Sequence, residues 1–401
     1  MSGAPQDPGR RHWLAAGGLA GLGAALGLSL GPALGSTAPA AEAAAPVTPP
    51  GQQPGTPPKP RPRAAAQPSK KRAPPKSRPR PTPTGPSYAG HAAARAFAEA
   101  LAAERGLDLA WLHQHLGQAR RVEAVRQLIM PPPAGTAKDW AAYRARFIEP
   151  RRVAAGLAFW QQHARWLALA EERWGVPPEI VVAIVGVETF YGRITGNFRV
   201  IDALATLAFD FPPGRRDRSE FFREQLAEFF VLNAREGTSP QQQKGSFAGA
   251  MGLPQFMPGS VNRWAVDFNE DGHVDLMDQP ADVVGSVAHF LAAHGWEHGL
   301  PTHFEVAVPV DTRDRAVLLG PDILPSFTAA QFVERGALLP DAALAHRGLL
   351  ALVELQNGEL APSYVAGTAN FYVITRYNWS SYYAMAVIDL ASTLRQGHGP
   401  G

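Results

Sequence analysis

A chain of 401 residues with 45% hydrophobic content is long enough to bury a large core, in about two or three structural units. The net charge of +3 is unevenly placed: residues 1–88 hold eleven Lys and Arg against Asp7 and Glu42, a net of +9, which leaves −6 for the rest. Cysteine is absent, which excludes disulfides, thiol catalysis, cysteine metal sites and a lipid-modified N-terminal cysteine.

Residues 1–45 read as an export signal. Arg10 and Arg11 precede an uncharged Ala/Gly/Leu-rich stretch from Trp13 to about Gly35, and small-residue sites follow at Ala38-Pro39-Ala40 and Ala41-Glu42-Ala43. The arginine pair suits twin-arginine export, but the usual polar residue before it is missing, so ordinary secretion stands beside that reading. An uncleaved anchor is the third reading, because the apolar run nears spanning length, although six glycines before Pro32 weaken it. Residues 46–88 form a Pro/Ala/basic linker with nine Lys and Arg and no acid. Fully extended at ~3.1 Å per residue it reaches on the order of 130 Å. It is either a tether for anionic wall polymer or membrane surface, or a plain soluble spacer. The basic run lacks aromatic residues, so no nucleic-acid partner is expected.

From Tyr88 onward helical spacing dominates. It predicts helices over 92–105 and 108–115, one long helix over 153–174, and a helix opened by Pro177, Pro178 and Glu179. Further helices are predicted over 200–209, 219–236, 282–294 and 382–394. Between 303 and 377 the pattern changes: 304–310 alternates as a strand, and 350–355 reads as a strand entering the turn Asn357-Gly358. The run 371–374 fits strand or helix. The class is α+β, mostly α, and no repeat of fixed period is present.

The run Val185-Gly186-Val187-Glu188-Thr189-Phe190-Tyr191-Gly192 places one carboxylate on an otherwise apolar helix, with Ile180, Val181, Ile184 and Val185 at helical spacing before it. Desolvation raises the pKa of such a group, and a carboxylic acid protonated near neutral pH is what glycosidic-bond cleavage requires. The competing reading is a buried Glu188 paired with Arg193.

Asp267, Asn269 and Asp271 fall at positions 1, 3 and 5 of an EF-hand-like calcium loop, with Gly272 at position 6 and the His273 carbonyl at position 7. Position 12 is Asp278, where a longer Glu is usual, and Asp282 slightly later offers the bidentate contact instead. The flanks do not read clearly as a helix pair, and the competing reading is a solvated acidic turn. His289, His294, His298 and His303 cluster within fifteen residues, but Gly295, Gly299 and Pro301 interrupt them, so a zinc site is not expected. The stretch from Gly245 to Gly252 lacks the Lys-Ser/Thr of a nucleotide loop. It reads as backbone that a polymer chain can approach closely, with the Gln255 amide just beyond it. Ser246 with His273 or His289 has no Gly-x-Ser-x-Gly elbow to support a hydrolase triad.

Together these residues resemble the membrane-bound lytic transglycosylase B family of bacterial cell-wall enzymes. The likeness is carried by Gly186-Val187-Glu188-Thr189 through Gly192-Arg193, by Asp202-Ala203-Leu204-Ala205-Thr206-Leu207, and by Gly245 through Pro258. Two further stretches join them, Asp267–Asp275 through Gly285-Ser286, and Tyr377-Asn378 through Tyr382-Tyr383-Ala384-Met385. It covers most of residues 140–395 in order, and says nothing of residues 1–88. The resemblance implies a lysozyme-like catalytic core with an additional α part and a small β part, over 89–396, and a groove for peptidoglycan glycan strands. It implies Glu188 as sole acid and base, forming 1,6-anhydro ends. No motif marks Glu179 or Asp202 as a second carboxylate. A hydrolytic muramidase with a partner carboxylate from elsewhere, and a non-catalytic wall-binding protein, stand as the rival readings. It further implies polar sugar contacts at Ser246 and Gln255, a rim of Tyr377, Asn378 and Tyr383, an aromatic wall at Tyr143, and a basic pair at Arg215 and Arg216 for a peptide stem or lactyl carboxylate. Calcium, held by Asp267, Asn269, Asp271, His273 and Asp282, would be structural. The implied protein is an exported monomer facing periplasm or wall, with cell-wall synthesis proteins as candidate partners. Three features depart from the family: His289 in place of a Tyr, one extra residue between Asp278 and Asp282, and the missing lipid-anchor cysteine.

Overall fold

A computed structural model describes residues 85–131 and 138–399. The expected export signal and the linker up to residue 84 lie outside the described residues. The N-terminal helices are α1 (Ala92–Arg105), α2 (Leu109–Gln118), α3 (Glu123–Leu128) and α4 (Trp140–Ala145), followed by α5 (Pro150–Gln162), α6 (Ala164–Trp174) and α7 (Pro178–Thr189). The middle of the chain holds β1 (Phe198–Arg199), α8 (Val200–Phe209), α9 (Ser219–Glu236), β2 (Lys244–Gly245), α10 (Pro258–Trp264) and α11 (Pro280–Ala293). A small β part follows, with β3 (His303–Glu305), α12 (Thr312–Leu319), α13 (Ala329–Glu334), α14 (Asp341–Leu344), β4 (Ala351–Asn357) and β5 (Leu360–Gly367). The chain then returns to the helical body through α15 (Ala369–Tyr377) and α16 (Ser381–His398).

The body is organised around α7. Every residue from Ile180 to Thr189 is buried, and a helix apolar on all sides belongs at the centre of a core. Pro178 opens it and Glu179 sits favourably in its first turn. Helices α5, α6, α11 and α16 pack around it. It ends abruptly, because Phe190 and Tyr191 both take left-handed conformations, at φ 52 and 56. Such geometry costs on the order of 1–3 kcal/mol per non-glycine residue and persists only where the surroundings impose it. Here the Tyr191 ring lies between α5 and α7, where a methyl group at Gly156 or Gly186 would stand 2.3 or 2.4 Å from its hydroxyl.

Helix α8 packs on α9, and its two buried polar residues secure the N-terminal arm. Asp202 accepts from the Arg120 backbone N–H at 2.9 Å and from Arg199 through two bonds of 2.6 and 2.8 Å. Thr206 accepts from the Val122 N–H at 3.0 Å. The two-stranded sheet pairs β1 with β2 antiparallel, while the three-stranded sheet runs β3-β5-β4, antiparallel throughout. The latter covers a second small core of Leu318, Phe332, Leu350, Leu352 and Ala366 among others.

Three expectations change and one open reading is resolved. The helix expected over 153–174 is two, broken where His163 leaves helical geometry (φ −115, ψ 20) with its ring 4.5 Å from Phe159. The cause is packing: α5 lies against α7 and α16, whereas α6 lies against α7 and α11, so the two halves take different directions. The strand expected over 304–310 stops at Glu305, apart from an isolated bridge between Ala307 and Leu338. Pro309 has no N–H to give and Val310 is 97% exposed. The ambiguous run at 371–374 is helical, inside α15. Finally, residues 85–88, expected within the linker, are packed on the helical body. Arg121 donates to the Pro86 carbonyl, and Tyr88 is buried with its hydroxyl on Asp210 at 2.6 Å.

Candidate active site

The burial of α7 forces Glu188 into the interior, where it is 6% exposed. Its partner is not Arg193, whose guanidinium lies over the Phe190 ring at 4.7 Å. Instead the Tyr383 hydroxyl, from α16, donates to Glu188 Oε1 at 2.7 Å. Burial pushes the carboxyl up to about 7, against the lowering effect of that hydrogen bond. Among the described residues no second carboxylate acts on it. Glu179 is nine residues earlier on α7, about 13.5 Å along the axis, and lies near Arg395. Asp202 is committed to Arg199 and Arg120.

Three phenols surround the acid. Tyr377 stacks on Tyr383 with ring centroids 6.3 Å apart, and its hydroxyl donates to the Pro254 carbonyl at 2.6 Å. Burial, and after it the Glu188 carboxyl, pushes the Tyr377 and Tyr383 phenols up. Burial also raises Tyr143 to about 12, with Arg146 opposing and Glu188 adding. Asn378 follows Tyr377 and is 7% exposed, and its Oδ1 has no hydrogen-bond partner. A buried amide oxygen in that condition is costly unless something else meets it.

The loop 245–258 closes against the end of α7. Thr189 Oγ1 donates to the Leu253 carbonyl at 2.9 Å and accepts from Gly192 N–H at 3.1 Å. Gln255, left-handed at φ 52, donates through Nε2 to the carbonyls of Thr195 and Gly252 at 3.2 and 2.9 Å. Ser246 is placed differently from expectation: it is 1% exposed, and its Oγ accepts from the Ala248 and Ala250 N–H groups at 3.3 and 3.0 Å. It braces the loop. Arg215 and Arg216 lie between α8 and α9. Arg215 donates to the Ile129 carbonyl and faces Phe211 at 6.0 Å, while Arg216 is exposed.

Sequence reasoning missed Trp140, Phe147, Arg152 and Tyr382. Trp140, Tyr143 and Phe147 recur at i, i+3 and i+7, a helical stripe that could have marked them. Tyr382 crosses Tyr143 at 5.7 Å and Trp140 at 5.9 Å, and its hydroxyl joins the Gln356 backbone.

The loop from Asp267 runs from α10 into the first turn of α11, where Asp282 sits, so its flanks are helices after all. Asp267 accepts from the Asp271 and Gly272 N–H groups at 3.1 and 2.7 Å, and Asp271 accepts from His273 N–H at 3.0 Å. Gly272 has φ 94, which suits glycine alone. Asp282 is fully buried, accepting from Phe268 N–H and Asp275 N–H at 2.8 Å each. No group of three or more His, Asp or Glu side chains among the described residues is placed to hold a metal ion. The histidines go separate ways: His289 to the Trp264 carbonyl, His294 to Phe290, His298 to Gly175 and His303 to Thr302.

The sequence matches the family described as Transglycosylase SLT domain over residues 89–392. It is 39% identical over 318 residues to membrane-bound lytic murein transglycosylase B of Escherichia coli (strain K12), covering 77% of this chain and 84% of that protein. The structure of the lytic transglycosylase SltB1 from Pseudomonas aeruginosa, solved as a catenated form, superposes with a TM-score of 0.70 at 38% identity, covering 78% of this chain and all of that one. The Escherichia coli lytic transglycosylase Slt35, solved in complex with calcium, superposes with a TM-score of 0.67 at 37% identity, over 78% of this chain and 96% of that one. A family match across the whole helical body, joined to relatives of this identity and coverage, shows that the chain belongs to the SLT-domain lytic transglycosylases.

Proposed function

We propose that this peptidoglycan lytic transglycosylase cleaves the β-1,4 bond from N-acetylmuramic acid to N-acetylglucosamine with Glu188 as its single acid and base. The observation that carries the reading is a buried carboxyl near pKa 7 with one hydroxyl partner and no second carboxylate acting on it. A glycosidase that hydrolyses by the usual routes needs a partner carboxylate at about 5–9.5 Å. Protonated Glu188 gives its proton to the glycosidic oxygen as the C1–O4 bond breaks. The substrate's own N-acetyl oxygen stabilises the positive charge at C1. The resulting Glu188 carboxylate, held by the Tyr383 hydroxyl, takes the proton of the muramic C6 hydroxyl as O6 bonds to C1. The acid is restored, the product carries a 1,6-anhydro end, and no water is consumed. The attacking hydroxyl belongs to the same sugar, so its effective concentration is high. A pKa near the working pH leaves both forms of Glu188 accessible within one turnover.

Tyr143, Tyr377, Gln255 and Asn378 line the approach in this reading. Arg215 and Arg216 serve only a substrate that extends to the α8–α9 loop. Calcium fits the 267–282 loop by donor chemistry: Asp267, Asn269, Asp271 and the His273 carbonyl are hard oxygen donors at alternate positions. Asp282, buried beneath the loop, accepts from the Phe268 and Asp275 N–H groups and braces it from below. Bound there, calcium supplies rigidity to the turn before α11 and takes no part in bond cleavage. The name of the Escherichia coli relative supports an exported, wall-facing enzyme here. Among the described residues no helix is long and apolar enough to cross a membrane.

The test is mass spectrometry of soluble products from peptidoglycan sacculi. Products one water lighter than hydrolytic muropeptides, lost in Glu188→Gln, are expected. Reducing ends would establish hydrolysis, and no release would favour a binding protein.

A further inference from the structure

Arginines and aromatic rings alternate along the flank of the catalytic acid. Arg146 lies over Tyr143 at 4.5 Å, and Tyr143 packs on Phe147 at 5.2 Å. Arg152 bridges Phe147 at 5.4 Å and Phe190 at 4.6 Å, and Arg193 covers Phe190 at 4.7 Å. The ladder reaches the site at Tyr143, which feels the Glu188 carboxyl, and toward its other end Phe190 follows the end of α7. Its inner guanidinium, Arg152, donates to the Gly186 carbonyl, and its Nε is buried with no partner. The two outer guanidiniums are exposed, and neither is in an ion pair among the described residues. Arg144, two residues from Arg146, differs in this respect because it is occupied by Asp389.

A guanidinium stacked on a ring keeps its edge donors free, in the planar fork that matches a carboxylate. Stacking also fixes the side chain beforehand, so less freedom is lost when an anion binds. None of these arginines acts on the ionisation of Glu188. Positive charge is therefore available to a substrate without converting the acid to its carboxylate.

We propose that the Arg146–Tyr143–Phe147–Arg152–Phe190–Arg193 ladder is a recognition rail for carboxylates on the peptide branches of the glycan strand, with Arg146 and Arg193 as the contacting residues. The proposal rests on the glycan-cleaving reading above and adds which substrates that site prefers. A strand carries a branch on every muramic acid, so a charged rail beside the acid favours strands whose branches end in free carboxylates over neutral ones.

The test uses the full chain with two substrates: peptide-bearing strands, and the same strands with their carboxyl groups converted to amides. The quantity read is the ratio of kcat/KM between them, at low and high salt. The parent enzyme prefers the acidic strands, and salt narrows the preference. Arg193→Gln and Arg146→Gln each lower the ratio by roughly tenfold, mostly through KM, as loss of one charge-assisted contact requires. Arg193→Lys, which keeps the charge but not the fork, lowers it less. A ratio equal to the parent's in both Gln variants would overturn the proposal, as would a parent enzyme that does not distinguish the substrates. Product mass on unmodified strands reports the cleavage reaction separately, so a failed preference and a failed mechanism give different results.

Discussion

Glu188 should destabilise the protein in a pH-dependent way, and replacing it should reveal how much. Its pKa is pushed from 4.5 up to about 7 by burial. Between those values the folded chain binds a proton that the unfolded chain has released, so stability falls as pH rises through the window. Below pH 4.5 the effect vanishes, and above about pH 7 it is complete, on the order of 3 kcal/mol. Glu188→Gln keeps the shape and an acceptor for the Tyr383 hydroxyl but has nothing to ionise. The variant should therefore gain on the parent by up to about 3 kcal/mol at pH 8 and by little at pH 4.5, a few degrees in melting temperature for a chain of this size. Thermal unfolding of both proteins across pH 4.5–8 measures it. A constant offset between the two curves would refute the reasoning, because only titration of this carboxyl makes them diverge. The same substitution should abolish cleavage, so stability and activity are expected to move in opposite directions, as where a site holds a group its surroundings disfavour.

Tyr383→Phe removes the hydroxyl that lowers the Glu188 pKa. The alkaline limb of the pH–rate profile should move to higher pH while the maximum rate falls by roughly tenfold. Calcium should raise the melting temperature of the parent, and Asp267→Ala should abolish that rise, measured by thermal shift with and without chelator. Asp202→Ala leaves Arg199 and the Arg120 N–H without their partner. Because Arg199 keeps Gln241 and the Gln118 carbonyl and is partly exposed, the change should cost about 1–3 kcal/mol by denaturant unfolding, chiefly for the orphaned Arg120 N–H.

Much of this protein was legible in its sequence because the signal was local. Helices α1, α8 and α9 have the predicted limits, since apolar spacing and terminal residues such as Gly106 and Gly237 define them within the segment itself. Glu188 stood out for the same reason, as a lone acid in a helix apolar on every side. The turn at Asn357-Gly358 was readable too, but its second strand, β5, was not, because its exposed Leu360-Ala361-Pro362-Ser363 start carries little strand pattern.

Packing decided what spacing could not. Nothing in the periodicity of 153–174 breaks the helix; the different neighbours of α5 and α6 do. Ser246 and Asp282 have the composition of ligand contacts, yet both are drawn inward to satisfy backbone N–H groups that burial would otherwise strand. The reverse holds for Tyr383, 195 residues from Glu188. The sequence by itself determined that an acid lies in an apolar helix, but only the arrival of α16 against α7 set that acid's partner and its surroundings. An ionisation constant near neutrality is a property of burial and neighbours together, and those exist only once distant segments have packed.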